Sequence, residues 1–321
     1  MTGRFWLFFL ARRLAVLVVL MVVISFLVFS LLYISPGSVI DTLLGTNPRT
    51  PDEVRFLTHE YHLDKSFWEQ YWLWASQALQ LHFGNSIQTS LPVASEIKAR
   101  LPTSLFLGVY AYILTMLLGV GGGIMAALRR RSVVDRGIVG SSMVALSTPA
   151  FVSGVFLIWL LAIKVRWFPV SGPGSGFADE LWHLTLPAVA LALTGTAYLV
   201  KHTRAAMIGV LDQDYVTFAR ARGLSTVRVL FTYALRNALI PVVTISGVIL
   251  SYVIVGAVLV EDTFSVPGIG QLLVQSATAK DLPMIQGVAM LVAVVIIVAN
   301  LLADIAYIAV DPRIRLGRRS S

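Results

Sequence analysis

Few residues in this chain have the types and spacing for chemistry, and none of them forms a catalytic set. His59-Glu60-Tyr61-His62 offers two imidazoles and a carboxylate, but its histidines are three apart, not four as in HExxH. A solvated helix face is the simpler reading. Lys65-Ser66 lacks the glycine spacing of GxxxxGK[ST], so the chain has no phosphate cradle of that kind. Gly119, Gly121, Gly122 and Gly123 lie inside an apolar run with no strand before them, which suits close helix packing better than a nucleotide loop. Ser147, Thr148 and Pro149 predict a kink in another apolar run. Asp304 sits near the end of the last one, where an interfacial or structural role is weighed against a proton relay. The chain has no cysteine, which excludes disulfides and thiolate chemistry. No nucleophile–base pair, metal cluster or cofactor site is visible, so the chain is not expected to be an enzyme.

The most informative polar segment is 214–241, DYVTFARARGLSTVRVLFTYALRNALIP. It is basic, it lies between two long apolar runs, and it reads as two short helices broken at one glycine. Asp214 is placed to cap the first helix, Gly223 to end it in the left-handed conformation, and Ser225 to cap the second. An ordered basic helix pair between two apolar runs is suited to a partner; the alternative is an ordinary positively charged loop.

The elements around it are membrane spans. Of 321 residues, 57% are hydrophobic and 13% charged, too apolar for a soluble domain of this length. Runs of about 20 apolar residues suffice to cross a bilayer. Six are found near 14–34, 103–128, 137–163, 183–203, 238–260 and 282–309. Because backbone groups in lipid need internal partners, these are predicted helices. The first follows Arg12 and Arg13 but lacks a small-residue cleavage site, and is read as a retained anchor. With six spans, most of the 25 basic residues fall on one side: the N-terminus, the 128–136 loop, the 201–237 loop and the 311–321 tail. That side is expected to be cytoplasmic, with both termini on it. The net charge of +8 then reflects topology and not nucleic-acid binding.

On the other side, 36–100 opens with the turn signal Pro36-Gly37 and breaks again at Pro48 and Pro51. From Asp52 to Leu81 it reads as helix, with Trp68, Tyr71, Trp72 and Trp74 suited to a membrane interface. A Gly/Pro/Ser loop lies within 164–182. In 261–283, Pro267, Gly268 and Gly270 predict a tight turn, and a short amphipathic helix starts at Gln271. The division expected is an N-terminal region over 1–101, a five-helix core over 102–310 carrying the basic loop 204–237, and a basic tail over 311–321.

Six motifs in order give the chain a resemblance: Arg12-Arg13-Leu14, Ser35-Pro36-Gly37, YHLDKSFWEQYWLWASQALQLHFGNSI (61–87), PVASEIKARLPTSLFLG (92–108), VEDTFSVPGIGQLL (260–273) and DPRIRL (311–316). The chain resembles the permease subunits of bacterial ATP-binding-cassette importers, most of all the first permease of the dipeptide/oligopeptide/nickel group. The resemblance implies an all-α, six-span, type I importer permease in the bacterial inner membrane. It implies as partners a second permease, one or two P-loop ATPase subunits that hold the ATP and Mg, and an extracytoplasmic substrate-binding protein. It also makes 214–224 the coupling helix, with Asp214, Tyr215, Phe218, Ala219, Arg220, Ala221, Arg222, Gly223, Leu224 and Arg228 on the ATPase side. Of these, Tyr215, Phe218 and Leu224 would fill an ATPase groove and the arginines would rim it. Counting back from Gly223, the family's EAA triplet falls on Thr217, Phe218 and Ala219, so its glutamate is missing, and Leu235-Arg236 replaces a Leu-Pro. Glu261, Phe264, Pro267, Gly268 and Gly270 would lie at the outer mouth beside the binding protein. Small peptides are the expected substrate; nickel complexes, glutathione or haem are the alternatives. A secondary carrier would need polar groups at mid-membrane, which the uncharged span cores lack.

Overall fold

The computed structural model describes residues 2–34, 39–44 and 49–310. The turn at 35–37, Pro48 and the basic tail 311–321 lie outside them. Among the described residues the chain is helical, and its only extended pairing is the isolated bridge between Asn85 and Pro92. In chain order the helices are α1 (Thr2–Ile34), α2 (Val39–Leu44), α3 (Pro51–Glu60), α4 (Phe67–Leu79), α5 (Val93–Leu128), α6 (Val133–Ser147), α7 (Ala150–Leu157), α8 (Phe177–Leu211), α9 (Asp214–Ala221), α10 (Thr226–Arg228), α11 (Arg236–Thr263), α12 (Ile269–Ala279) and α13 (Leu282–Val310). Two wider π-helical stretches, Ile158–Lys164 and Val229–Leu235, extend α7 and join α10 to α11.

Five stretches are long and apolar enough to cross a bilayer: Ala11–Ile34, Val93–Leu128, Phe177–Leu211, Pro241–Thr263 and Leu282–Ile305. The expected third span is instead a bent pair, Val133–Ser147 and Ala150–Lys164, which turns by 108°. Counted as one span, it completes the six. The kink read from Thr148-Pro149 is real but far sharper than a bent helix. Thr148 leaves α6 in extended backbone (φ −109°, ψ 121°), the region to which a residue before proline is confined, and Pro149 starts α7.

The chain forms two compact units, 1–104 with 267–297, and 105–266 with 298–321. The first unit thus takes in residues 267–297 as well as the N-terminal region. In the first unit, Phe26, Phe29 and Tyr33 of α1 interlock with Phe67, Trp68, Tyr71 and Trp74 of α4 at centroid distances of 5.0–6.0 Å. The Tyr71 hydroxyl lies 2.9 Å from Ser25 Oγ, and Tyr33 donates to the Gln70 carbonyl. The single helix expected over 52–81 is broken at 61–66. There His62 takes a left-handed backbone (φ 51°) and Ser66 begins α4 with a capping box completed by Glu69. The start of α5, α12 and the first turns of α13 share a core of Val93, Ile97, Ile269, Leu272, Met284 and Val288. Asp281 caps α13 through Met284 N–H at 3.3 Å, and its other oxygen accepts the Ser86 hydroxyl.

The second unit is built on α8, whose buried side includes Leu184, Leu191, Ala197, Leu199 and Val200. The glycine run of α5 does what its setting predicts. A Cβ on Gly119 would come within 2.7 Å of Leu199, and one on Gly123 within 2.5 Å of Thr203. Only bare backbone lets α5 and α8 approach this closely, the usual means of packing helices where lipid removes the hydrophobic drive. On the same unit, Phe264 closes over Gly154, where a Cβ would meet its ring at 2.8 Å.

Candidate functional site: a short basic helix beyond the spans

Helix α9 is held between the end of α8 and the approach to α11. Gln213, in extended backbone (φ −81°, ψ 147°), takes the N-cap position without a side-chain bond. Asp214 is therefore not the cap that the sequence suggested; it lies in the first turn, where its charge faces the positive end of the helix dipole. The helix is amphipathic at the expected period. Val216 and Ala219 point inward with Val229 and pack beside Val210, Leu211 and Tyr233. Tyr215 and Phe218, three apart on the adjoining face, are 41% and 68% exposed.

Gly223 ends the helix as predicted. Its φ is +77°, and its N–H bonds to the Arg220 carbonyl at 2.9 Å. Leu224 then turns back, its N–H reaching the Ala219 carbonyl at 3.3 Å, and its side chain joins the inner cluster. It is half-buried there, which corrects the expectation that it projects towards a partner. Ser225 Oγ accepts the Arg228 N–H at 3.4 Å, the cap foreseen for the second helix. That second helix is not separate: α10 runs through the π-helical stretch straight into α11.

The outward face of this segment carries Phe218, Tyr215, Ala221 and the exposed arginines Arg220, Arg222 and Arg228. Two exposed apolar residues extend it, Val227 and Phe231, four apart on the following helical stretch. Sequence reading passed over both, although large apolar side chains in an otherwise basic segment were the available signal. Asn237 was passed over too. Its Nδ2 donates to Tyr215 Oη at 3.1 Å and to the Tyr233 carbonyl at 3.0 Å, tying α9 to the foot of α11.

Two ion pairs brace the same end. Arg130 meets Asp212 at 3.1 Å in the open, worth at most about 1 kcal/mol. Asp135 is different: it is 4% exposed and bound bidentately by Arg204, Nε–Oδ1 at 2.6 Å and Nη2–Oδ2 at 2.8 Å, with the Arg131 N–H on Oδ2 at 2.9 Å. Arg204 had counted only as one more positive charge on the inner side.

The outer-mouth residues divide between the two units. In the second, Glu261 and Phe264 are buried, and Ser265, not a glycine, takes the positive φ of the turn (50°). In the first, Gly268 is the N-cap of α12, Ile269 N–H donates to Ser104 Oγ at 2.7 Å, and Gly268 and Gly270 are buried. Pro267 is half-buried and α12 begins at Ile269, two residues before the expected start. Glu261, Phe264, Gly268 and Gly270 therefore shape the turn from inside and do not themselves offer a surface.

Residues 119–316, from the α5 glycines through the α9 segment to beyond α13, match the profile of the binding-protein-dependent transport system inner membrane component, and residues 6–108 match the profile of the N-terminal portion of such components. The chain belongs to this family. The permease is 37% identical over 310 residues to a probable peptide ABC transporter permease protein, y4tP, of Sinorhizobium fredii, covering 96% of this chain and 99% of that one. It is 37% identical to the oligopeptide transport system permease protein AppB of Bacillus subtilis, covering 95% and 98%. Against the dipeptide transport system permease protein DppB of Escherichia coli the identity is 35%, covering 96% and 98%. Among solved structures, a chain of the inward-facing MetNI methionine ABC transporter superposes with a TM-score of 0.56 at 15% identity, covering 67% of the permease and 96% of that chain. This likeness shows a MetI-type fold. The permease is thus an all-α, multi-pass inner-membrane transport component, and its described helices, counted with the bent pair, supply the six spans.

Proposed function

We propose that this permease forms, with a second permease, the pathway of an ATP-driven importer of small peptides. Both its termini face the cytoplasm. An extracytoplasmic binding protein delivers substrate, and one or two P-loop ATPase subunits, which hold ATP and Mg, dock on α9. The observation that carries the substrate class is the end-to-end match to permeases named for peptides, dipeptides and oligopeptides in three organisms.

The α9 geometry supports the mechanism. Phe218 is the largest exposed apolar side chain on a helix that stands outside the apolar spans, and it sits among arginines. An aromatic anchor with a polar rim is the usual anatomy of a docking site. Closure of an ATPase pair would move α9, and two attachments would pass the motion on: the Tyr215–Asn237 bond to α11, and the Val216/Ala219/Val229 cluster to the π-helical stretch. The test is purification of the tagged chain from its native membrane. Recovery of a second six-span permease with P-loop ATPases, and ATP hydrolysis stimulated by the binding protein and a dipeptide, supports the reading. A chain that purifies alone without ATPase activity contradicts it.

A further inference from the structure

The first unit contains a cavity of about 410 Å³ that no step above uses. It lies among α1, the α3–α4 break, the 81–94 segment and α13, within the size range of small-ligand pockets (about 300–1,000 Å³). Its lining is specific in chemistry. Trp74, Phe29, Phe83 and Tyr61 supply rings, and Gln70, Gln77, Gln286 and Asn85 supply amides. Glu60 is the one Asp, Glu, Lys or Arg among the lining residues. Gln70 and Gln286 are buried, although buried amides are costly unless satisfied. Each already spends one N–H on a backbone carbonyl: Gln70 on Lys65 and Gln286 on Val28.

Backbone strain is concentrated at the same place. His62 (φ 51°) and Leu81 (φ 62°) both line the cavity in the left-handed region, at a cost of about 1–3 kcal/mol each. Gly84, also lining, has φ 77°, and a Cβ there would stand 3.2 Å from Tyr61 Oη. Burial first, and then the charges of Glu60 and Asp281, push the Tyr61 hydroxyl up to about 12. An anion would find no lysine or arginine here, and His62 and His82 are the only basic side chains among the lining residues. A cation would find the Glu60 carboxylate, which is exposed at the rim, and an indole face.

We propose that this cavity is a binding site for a primary ammonium group, with Glu60 as counter-charge, Trp74 as the cation–π face, and the amides holding the polar body that carries the ammonium. Two sources bring such a group to a membrane protein: the free amino end of a small peptide, which rests on the function proposed above, and the ethanolamine headgroup of a lipid.

The experiment uses the full chain in phosphatidylglycerol nanodiscs, with no binding protein and no ATPase. Equilibrium dialysis measures retention of labelled dialanine, N-acetyl-dialanine and O-phosphoethanolamine at millimolar concentration. The expected result is retention of dialanine, phosphoethanolamine or both, loss on acetylation of dialanine if it is the one retained, and about ten-fold weaker binding in Glu60→Gln. Dialanine alone assigns the site to peptides, and phosphoethanolamine alone to lipid. Retention of neither amine, or retention indifferent to Glu60→Gln, overturns the proposal. Because the assay involves no transport, its failure leaves the importer reading to the co-purification test, and failure of that reading leaves the phosphoethanolamine arm intact.

Discussion

Single residues shape the segment proposed to couple to the ATPases, and Gly223 is the clearest case. With φ at +77° and nothing within 4 Å of a Cβ, the position is limited by backbone conformation alone. Gly223→Val should cost about 1–2 kcal/mol locally and displace the end of α9. The expected outcome is ATP hydrolysis that continues while peptide uptake per ATP falls; unchanged uptake would contradict the coupling role. Asp135 makes a different prediction. Breaking this bidentate pair leaves the part-exposed Arg204 without its counter-charge, so Asp135→Asn should lower stability, read as a drop in the melting temperature of the purified chain. Arg130→Ala, at an exposed pair, should barely move it. Glu69 supplies a pH dependence. Its hydrogen bonds from the Ser66 backbone and side chain hold its carboxyl below the usual value of 4.5. Its contribution to α4 is therefore complete above that value and lost as the pH falls through its lowered one. Protection factors of the amides in the first turn of α4, taken relative to the intrinsic exchange rate at each pH, should fall on acidification below about pH 4.5 in the wild type, and Glu69→Gln should remove this dependence.

At the scale of elements, what the sequence revealed depended on whether the deciding contacts were local. The apolar runs announce the spans, because crossing lipid imposes length and composition on each run separately. Gly223 and Ser225 announce the segment's turn, because each acts within three residues of itself. The 61–66 break was written in Ser66 and Glu69, a capping box spaced three apart, and was obscured by the aromatic run that continues past it. The 108° turn at Thr148-Pro149 was legible only as a kink, since proline constrains the residue before it but neighbouring helices set the angle. The inward turn of Leu224 and the burial of Glu261 and Phe264 are tertiary facts that no spacing rule encodes. So is the Asp135–Arg204 pair, which joins residues 69 apart in the chain. Close packing of α5 on α8 is testable at this scale. Gly123→Leu places a side chain where Thr203 already stands at 2.5 Å, and should cost about 1–3 kcal/mol. Gly121→Leu, with nothing within 4 Å of its Cβ, should be tolerated.

At the scale of the whole molecule, the chain has the plan of a multi-pass inner-membrane transport component. Buried polar groups such as Asp135 and Gln286 tie helices together, and among the described residues no cluster of three potential metal ligands is formed. A surface that stands out among the described residues is α9, where an exposed phenylalanine sits among arginines and the helix is tied through Tyr215 and Asn237 to the foot of a span. The central claim is that this surface is covered by the ATPases. The chain has no cysteine of its own, so Phe218→Cys introduces a single thiol. Its reaction with a membrane-impermeant maleimide on inside-out vesicles, with and without the ATPase subunits, tests the claim most directly. The account predicts rapid labelling of the permease alone and strong protection once the ATPases are co-expressed. Equal labelling in both would contradict it.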